Sequence, residues 1–334
     1  MILLTGGCGF IGAALLRHWL ATTDEPVLNL DALTYAGQAA NVAELAGHPR
    51  YAFCQGDIGN GDLLATLLRQ RQPRAVLHLA AETHVDRSLS GPLAFGQTNA
   101  LGTLQLLTAV RAYWQTLDAT AAQQFRFLQV STDEVFGSLA ATAPASMEAS
   151  AYQPNNSYAA SKAAADHFVR AFHISHGLPT LTTHSSNNYG ERQHAEKLIP
   201  RMIHNALHGL PLPVYGDGQQ VRDWLYVDDH CRALCAVLAR GVPGQTYNIG
   251  AGNERSNLRV VQQLCDLLDT LRPRADGLTY RQLIAHTEDR PGHDRRYSLD
   301  CRKIKDELGW QAQMPFDQGL LRTVQWYLSQ TGAP

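Results

Sequence analysis

The chain has 334 residues, and 28 Lys and Arg against 30 Asp and Glu give a formal net charge of −2. Apolar residues make up 45% of the composition and charged residues 17%, so a large core can form and general disorder is excluded. The balanced charge argues against nucleic acid as a partner, because phosphate backbones select a basic surface. At roughly 150 residues per domain, the length predicts about two domains or one large one.

Several features of the sequence bear on where in the cell the protein is located. The N-terminal sequence MILLTGGCGFIG lacks the basic region of a signal peptide, and every apolar stretch is far shorter than the ~18 residues of a membrane span. Six cysteines occur without a C-x-x-C pair. Cys231 and Cys235 lie one helical turn apart, which would suit two metal ligands, but no second ligand pair lies nearby in the sequence, so buried core thiols are the favoured interpretation. We therefore expect a cytoplasmic protein with no membrane partner and no metal.

In the first half, short β-like runs alternate with helical stretches. The runs are Met1–Leu4, Val27–Leu30, Tyr51–Cys54, Ala75–Leu79, Phe125–Val130 and Thr180–Thr183. The helical stretches are Ile11–Ala21, Asp62–Gln70, Leu101–Leu117 and Ser157–His176. Strands separated by helices of this length form βαβ units. The predicted fold class is α/β, a doubly wound parallel sheet of the Rossmann type.

After about Ser185 the rhythm changes, and Pro, Gly and Asn become frequent. The helical stretches there are Leu198–Gly209, Asp228–Arg240, Leu258–Leu271 and Phe316–Leu328. This pattern predicts a smaller, mixed α/β C-terminal lobe. We therefore divide the chain into a dinucleotide-binding domain, residues 1–185, and a substrate-binding lobe, residues 186–334, with segments crossing between them. The site is expected in the crevice between the two.

A glycine-rich segment follows the first β-like run. Residues 7–12, GCGFIG, fit G-x-G-x-x-G and open a helical stretch. Such glycines let the backbone approach a pyrophosphate, and the helix N-terminus offers free N–H groups to it. Asp31 ends the second run, where a carboxylate accepts ribose hydroxyls and repels a 2′-phosphate. The pattern predicts NAD rather than NADP; the alternative is a turn whose glycines only satisfy backbone geometry.

Tyr158 and Lys162 have i, i+4 spacing, so both project from one helix face. Ser131 and Thr132 end a β-like run, and strand carboxyl ends face the ligand crevice of a parallel sheet. The alternative is an ordinary solvated helix face. Beside a nicotinamide, Tyr158 would remove a hydroxyl proton while hydride leaves the same carbon. A neighbouring ammonium is expected to favour the phenolate.

Two adjacent carboxylates, Asp133 and Glu134, follow Thr132 directly. They are either plain loop acids or an acid and base pair for a second chemical step. Dehydration needs one proton removed α to a carbonyl and another delivered to the leaving hydroxyl. Two carboxyl groups in different environments can divide those tasks.

Nine segments carry a resemblance that covers nearly the whole chain. They are TGGCGFIG at Thr5–Gly12, LDALTYAG at Leu30–Gly37, HLAAETHVDRS at His78–Ser88, STDEVFG at Ser131–Gly137, YAASK at Tyr158–Lys162, NNYG at Asn187–Gly190, EKLIP at Glu196–Pro200, YGDGQQVRDWLYVDDH at Tyr215–His230 and RPGHDRRYSLD at Arg290–Asp300. With them the chain resembles the extended short-chain dehydrogenase/reductase family, and within it the nucleotide-sugar dehydratases. The Asp-Glu step, HVDRS and RPGHD are the more specific features.

The resemblance implies binding residues position by position. The implied NAD contacts are Gly6, Gly9, Phe10, Ile11, Gly12, Asp31, Ala32, Leu33, Thr34, Asp57, Ile58, Leu79, Ala80, Ala81, Thr98, Tyr158, Lys162 and Asn188. The implied nucleotide-sugar contacts are Thr83, Thr132, Asn187, Glu196, Lys197, Leu198, Pro213, Val214, Tyr215, Arg222, Asn257, Arg290, His293 and Tyr297. Arginines at 222 and 290 suit a pyrophosphate, because a guanidinium makes paired contacts with phosphate oxygens.

The implied reaction is loss of water from dTDP-glucose to give the 4-keto-6-deoxy sugar. Tyr158 and Lys162 would serve the hydride steps, with Thr132 on the sugar 4-hydroxyl. Asp133 would protonate the departing C6 hydroxyl, and Glu134 would take the C5 proton. The resemblance also implies a homodimer. The alternatives are a nucleotide-sugar 4-epimerase or decarboxylase, a UDP-glucose 4,6-dehydratase, and a non-catalytic NAD-sensing protein.

Overall fold

Twelve strands occur in the computed structural model, which describes residues 1–330. They are β1 (Ile2–Thr5), β2 (Val27–Asp31), β3 (Tyr51–Gln55), β4 (Ala75–His78), β5 (Arg126–Thr132), β6 (Thr180–Ser185), β7 (Asn187–Tyr189), β8 (Leu212–Tyr215), β9 (Val221–Tyr226), β10 (Thr246–Ile249), β11 (Glu254–Ser256) and β12 (Ile284–Thr287). Seven of them form the main sheet in the order β10-β6-β5-β4-β1-β2-β3, with every neighbouring pair parallel. The predicted fold class is therefore confirmed.

Strand order positions the site. From β1 the chain winds outwards to β2 and β3, then returns to β4 and winds the other way through β5 and β6. Ligands bind at such a reversal, outside the carboxyl ends of the strands. β1, β2 and β6 are buried along their whole length, since helices cover both faces of the sheet. This double burial explains the lack of apolar–polar alternation in β1, while β2 and β6 also carry buried polar side chains such as Asn29 and His184.

Within residues 1–330, twelve α-helices surround the sheets. They are α1 (Phe10–Thr22), α2 (Gly61–Arg71), α3 (Val85–Ser90), α4 (Pro92–Phe95), α5 (Thr103–Trp114), α6 (Ala119–Gln124), α7 (Ser157–His176), α8 (Leu198–Leu207), α9 (Val227–Arg240), α10 (Asn257–Leu271), α11 (Arg302–Leu308) and α12 (Phe316–Gln330). Short 3-10 segments occur at Ala39–Leu45, Asp133–Phe136 and Tyr280–Leu283. None of the helices within residues 1–330 is long and apolar enough to cross a membrane.

Helix α7 has the bounds that the sequence predicts. The side chain of Asn156 accepts a hydrogen bond from the amide of Ala159 at its start, and Gly177 ends it at φ +72°. The predicted helix Leu101–Leu117 differs. A π-helical segment, Gly96–Gly102, precedes α5, and α5 ends at Trp114. A wide π turn departs from the 3.6-residue period on which the prediction depends.

Segments from the second half return to the main sheet. Strand β10 pairs with β6, and α9 packs against α1 through an apolar cluster that includes the fully buried Cys231. Two small sheets, β11-β9-β7 and β12-β8, form with α8, α10 and α12 around a separate cluster. The boundary between 185 and 186 stays a prediction, and residues 331–334 of the predicted lobe lie outside the described residues.

Candidate active site

Two connected cavities lie at the carboxyl ends of the main-sheet strands. The first cavity follows the glycine-rich turn after β1 and the ends of β2, β4 and β5. The second cavity lies between that edge and the second-half segments, where Tyr215, Arg222 and Arg290 line it. The residues that line both cavities are Thr83, Glu134, Asn187, Glu196 and Lys197. A ligand that spans both cavities would therefore pass Glu134.

The turn between β1 and α1 has room only for glycine. Gly6 has φ +77°, and a Cβ there would lie 2.6 Å from the amide nitrogen of Ala80. A Cβ on Gly12 would lie 2.2 Å from the carbonyl oxygen of Gly6. The N-cap, Gly9, has no side chain to occupy the first amides of α1. This leaves an open helix N-terminus against a bare backbone, which suits a pyrophosphate.

Asp31 is held rigidly at the rim of the first cavity. One carboxylate oxygen accepts the amide of Cys8 and the other accepts the amide of Leu33, both at 2.8 Å. Each oxygen retains a lone pair, so both can still accept a ligand hydroxyl. The first cavity is lined by every predicted cofactor residue except Leu33, which packs against an apolar cluster. Their roles stay predictions.

Five polar side chains line the first cavity near the end of β5. The Thr132 hydroxyl accepts the amide of Glu134 at 3.2 Å and donates to Oδ1 of Asp133 at 3.3 Å. Lys162 is almost fully buried, and its ammonium donates to the carbonyl of Val130 at 2.8 Å. Tyr158, one turn before Lys162, also lines the first cavity. The five predicted catalytic residues therefore line one wall.

The two adjacent acids have different surroundings. Burial raises the pKa of Asp133 well above its usual value, the charge of Glu134 adds to this, and Oδ2 of Asp133 has no hydrogen-bond partner. Burial also raises the pKa of Glu134, but Arg222 and a hydrogen bond from Asn156 oppose the rise. Asp133 is thus suited to remain protonated and give a proton, and Glu134 to ionise and accept one.

The surroundings of Tyr158 act on its phenol in opposite directions. Burial raises the pKa of this phenol and the charge of Glu134 adds to the rise, whereas a hydrogen bond with Thr132 opposes it. Burial lowers the pKa of Lys162, and the charge of Asp166 opposes that change. The expectation that the Lys162 ammonium and an oxidised nicotinamide together favour the phenolate concerns the cofactor-bound protein and stays a prediction.

Charged side chains of the second cavity are already paired within the protein. Arg222 donates to the carbonyl of Asp294 at 2.9 Å, and its guanidinium carbon lies 4.2 Å from the ring centroid of Tyr297. Arg290 forms an ion pair with Asp86 at 3.1 Å. This pairing fixes both guanidinium groups at the cavity wall.

One predicted substrate residue lies elsewhere. Pro213 and Tyr215 line the second cavity, but Val214 between them is buried in the apolar cluster of the second half. Adjacent residues of a strand point to opposite faces, so a continuous run from 213 to 215 cannot face one cavity. The other predicted substrate residues line one or both cavities.

Sequence reasoning missed several residues of the second cavity. They are His84, Val85, Asp86, Asn156, Arg201, Met202, Trp224, Gly292 and Asp294. His84 and Asp86 lie within the HVDRS segment, which carries part of the family resemblance, but the resemblance assigns neither residue a role. Asn156 ends the loop before α7. The sequence feature that could have identified it is the pair of adjacent asparagines, Asn155 and Asn156, directly before the predicted helix.

Comparison with known proteins identifies the family. The family model described as GDP-mannose 4,6 dehydratase matches residues 3–323. The chain belongs to this family. The resemblance to the nucleotide-sugar dehydratases of the extended short-chain dehydrogenase/reductases is thereby confirmed.

Individual members of the family are similar over almost their full length. The chain is 56% identical to the dTDP-glucose 4,6-dehydratase of Xanthomonas campestris pv. campestris strain B100, covering 98% of this chain and 93% of that one. It is 50% identical to dTDP-glucose 4,6-dehydratase 1 of Escherichia coli K12, covering 99% and 93%. The structure of the dTDP-glucose 4,6-dehydratase DesIV of Streptomyces venezuelae, with NAD and dTDP bound, has a TM-score of 0.89 at 43% identity, covering 99% and 98%.

Proposed function

We propose that this chain converts dTDP-glucose to dTDP-4-keto-6-deoxyglucose, with NAD as a bound hydride carrier. The observation that carries the proposal is the adjacent pair of the buried Asp133 and the partly buried Glu134, both lining the first cavity with Tyr158, and Glu134 lining the second cavity as well. An elimination needs such an acid and base on one sugar. The dehydratase relatives named above support the same reaction.

The first cavity fits NAD. Its bare glycine turn, the open N-terminus of α1 and the fixed carboxylate of Asp31 match a pyrophosphate and a ribose. When bound there, NAD would supply the chemistry of a reversible hydride acceptor for the sugar C4 and C6. The protein would hold the cofactor through these backbone groups and through Lys162 at the far end.

The chain's own residues divide the proton transfers. Tyr158 would accept the 4-hydroxyl proton, with Thr132 orienting that hydroxyl. The C4 ketone acidifies the C5 proton, which Glu134 would remove. Asp133 would give its proton to the C6 hydroxyl, and water leaves. The resulting 4-keto-5,6-ene would accept the hydride at C6 and a solvent-derived proton at C5. The proton taken up by Tyr158 would replace, through solvent, the one that Asp133 gave, so one water is lost and no external oxidant or reductant is consumed.

The second cavity supplies the charge that a nucleotide sugar needs. Arg222, Arg290 and Lys197 line it, and the first two are fixed by their own contacts. Guanidinium groups bind diphosphates through paired hydrogen bonds. Thymine and uracil differ by a methyl group, worth ~1–3 kcal/mol in an apolar pocket. We therefore expect dTDP-glucose to be turned over faster than UDP-glucose, and a comparison of kcat/KM tests this.

Other functions make weaker use of the site. A 4-epimerase also needs the hydride machinery, but no hydroxyl leaves in its reaction, so Asp133 and Glu134 would have no task. A non-catalytic NAD sensor would have no need of Tyr158 and Lys162. The carboxylate pair therefore favours the dehydratase.

The fate of the C4 hydrogen tests the reaction. Substrate deuterated at C4 should give product with deuterium at C6, and in heavy water C5 should carry solvent deuterium. An epimerase would return the label to C4, and an ordinary dehydrogenase would release it as free NADH. Mass spectrometry and NMR of the product separate these outcomes. Label at C4 or in bulk NADH would overturn the proposal.

We also propose a homodimer. Large apolar side chains are exposed on neighbouring helical segments: Leu93 on α4, Leu101 in the π-helical segment and Ile174 on α7, with exposed fractions of 79%, 59% and 66%. A second copy would cover them, since exposed apolar groups of this size mark interfaces. Light scattering should give a molar mass twice that of the chain, and Leu101→Lys should reduce the measured mass toward that of a single chain.

We place the protein in the cytoplasm. All six cysteines are free thiols in the structure, as in proteins of reducing compartments. Cell fractionation should recover the chain with cytoplasmic enzymes, and recovery outside the cytoplasm would contradict this.

A further inference from the structure

Asn156 uses both ends of its side-chain amide. Its oxygen accepts the amide of Ala159 at 2.8 Å and so caps the helix that carries Tyr158. Its nitrogen donates to Oε2 of Glu134 at 3.4 Å. The residue lines the second cavity beside that carboxylate. A single side chain therefore touches the start of α7 and the proposed base.

The position of Asn156 is fixed from a second direction. Its neighbour Asn155 donates to Oδ1 of Asp294 at 2.6 Å. The other oxygen of Asp294 accepts the hydroxyl of Tyr297, whose ring lies under Arg222. The loop before α7 is thus tied to the wall of the substrate cavity.

Several charged and titratable groups face Glu134. Asp133 lies on its own segment, Tyr158 on α7 and Tyr297 in the loop after β12. The cations around the carboxylate are Arg222, Lys197 and Arg290. These cations act through charge, whereas Asn156 makes a directional hydrogen bond. An N–H donor favours the ionised carboxylate, and its direction selects which oxygen stays free.

We propose that Asn156 is a positioning residue that keeps Glu134 ionised and aimed at the sugar C5, while it also fixes the first turn of the helix that carries Tyr158. The inference rests on the proposed dehydratase reaction. One side-chain amide would thus hold Tyr158, the proposed oxidation residue, in place relative to Glu134, the proposed base of the elimination.

Asn156→Asp tests the donor without removing the cap. Asp is as good an N-cap as Asn, so α7 keeps its start. The new carboxylate faces Glu134 with like charge, which raises the pKa of Glu134 and lowers its ionised fraction at a given pH. On the acid limb we expect elimination to slow by about tenfold for each unit by which the pKa of Glu134 rises, since below the pKa one unit is a tenfold change in ionised fraction. The acid limb of the elimination rate should move to higher pH, and C4 oxidation should change much less.

Two further variants complete the design. Asn156→Ser keeps a capping oxygen and removes the amide donor, so it should slow elimination in the same direction by a smaller factor. Asn60→Asp is the matched control, because Asn60 caps α2 in the same way, through the amide of Leu63 at 3.1 Å. That change should leave both steps unaltered.

Stopped-flow absorbance of the reduced nicotinamide, recorded across pH, separates oxidation from elimination. An unmoved acid limb in Asn156→Asp, or an equal loss of both steps in Asn156→Ser, would overturn the inference. If Asn156→Asp does not fold, the ratio of the elimination rate to the oxidation rate in Asn156→Ser decides whether the inference holds. Failure of the proposed function is separate: the unmutated chain would then not move the C4 label to C6.

Discussion

The two cavities are lined by different kinds of chemical group. Part of the first is backbone: Gly6 and Gly12, an open helix end and a carboxylate that accepts main-chain amides. The second is lined by charged side chains held by contacts between distant segments, such as Arg290 with Asp86. At Gly6 and Gly12 the backbone leaves no room for a Cβ, so a single methyl group there should have a large effect. Each charged side chain of the second cavity supplies one contact among several, so single changes there should have graded effects.

The largest effects are expected where the cavities meet. Tyr158→Phe should abolish C4 oxidation, and Glu134→Gln should permit oxidation but block elimination, each by ~10²–10⁴-fold for loss of a general base. Reduced nicotinamide should accumulate in Glu134→Gln and stay absent in Tyr158→Phe. Equal accumulation in both variants would contradict the division of roles.

A methyl group should break the first cavity. In Gly12→Ala the new Cβ would lie 2.2 Å from the carbonyl oxygen of Gly6, and backbone cannot yield as a flexible side chain can. Overpacking of this kind costs the folded protein ~1–3 kcal/mol and displaces the backbone, so we expect the displaced turn to bind NAD less tightly. Gly96→Ala is the control, since a Cβ there meets nothing within 4 Å. Equal NAD dissociation constants for the two variants would show that the cradle is not the binding surface.

A charge removed from the second cavity should give a graded effect. Arg222→Ala should raise KM for the nucleotide sugar by roughly 10- to 100-fold, because a charge-assisted hydrogen bond is worth ~1.5–3 kcal/mol. NAD affinity should change little. If titrations show that NAD binding weakens as much as KM rises, the two cavities do not act separately.

The smallest effect concerns cofactor choice. Asp31→Ala should narrow the preference for NAD over NADP by about tenfold, since the like-charge contact with a 2′-phosphate is lost. The ratio of the two dissociation constants measures it. Equal affinities in the unmutated protein would show that Asp31 does not meet the ribose.

The contrast also explains what could be predicted from the sequence. The first cavity follows from local spacing, because Gly9, Gly12 and Asp31 belong to one βαβ unit with a fixed geometry. The second cavity assembles from residues far apart in the chain. Asn155 forms a hydrogen bond with Asp294, which lies 139 residues further along the chain, and no local sequence pattern predicts such a contact. The sequence predicts that segments cross between the two lobes, but for the same reason it does not show that β10 is the strand that returns to the main sheet.

Two smaller differences have local causes. The prediction includes Val214 because its neighbours belong to the site, although strand geometry turns it away. Leu33 adopts φ +54° and packs inward, a backbone state that a sequence run does not reveal. Both residues belong to continuous segments of resemblance, which cannot distinguish one face of the backbone from the other.

The unpartnered carboxyl oxygen of Asp133 has a thermodynamic consequence. Because its pKa is raised in the folded protein above the unfolded value near 3.8, folding favours the protonated form. The associated stability is present below that unfolded value and is lost as pH rises through the folded pKa. An asparagine side chain at this position would carry no such charge, so Asp133→Asn should increase the free energy of unfolding at pH 7 while it removes activity. Each 1 kcal/mol corresponds to about 1–2 °C in Tm for a chain of this length. Scanning calorimetry should find the Tm difference smallest at about pH 4 and growing toward neutral pH, which would make this acid a site where the fold gives up stability to keep a proton donor.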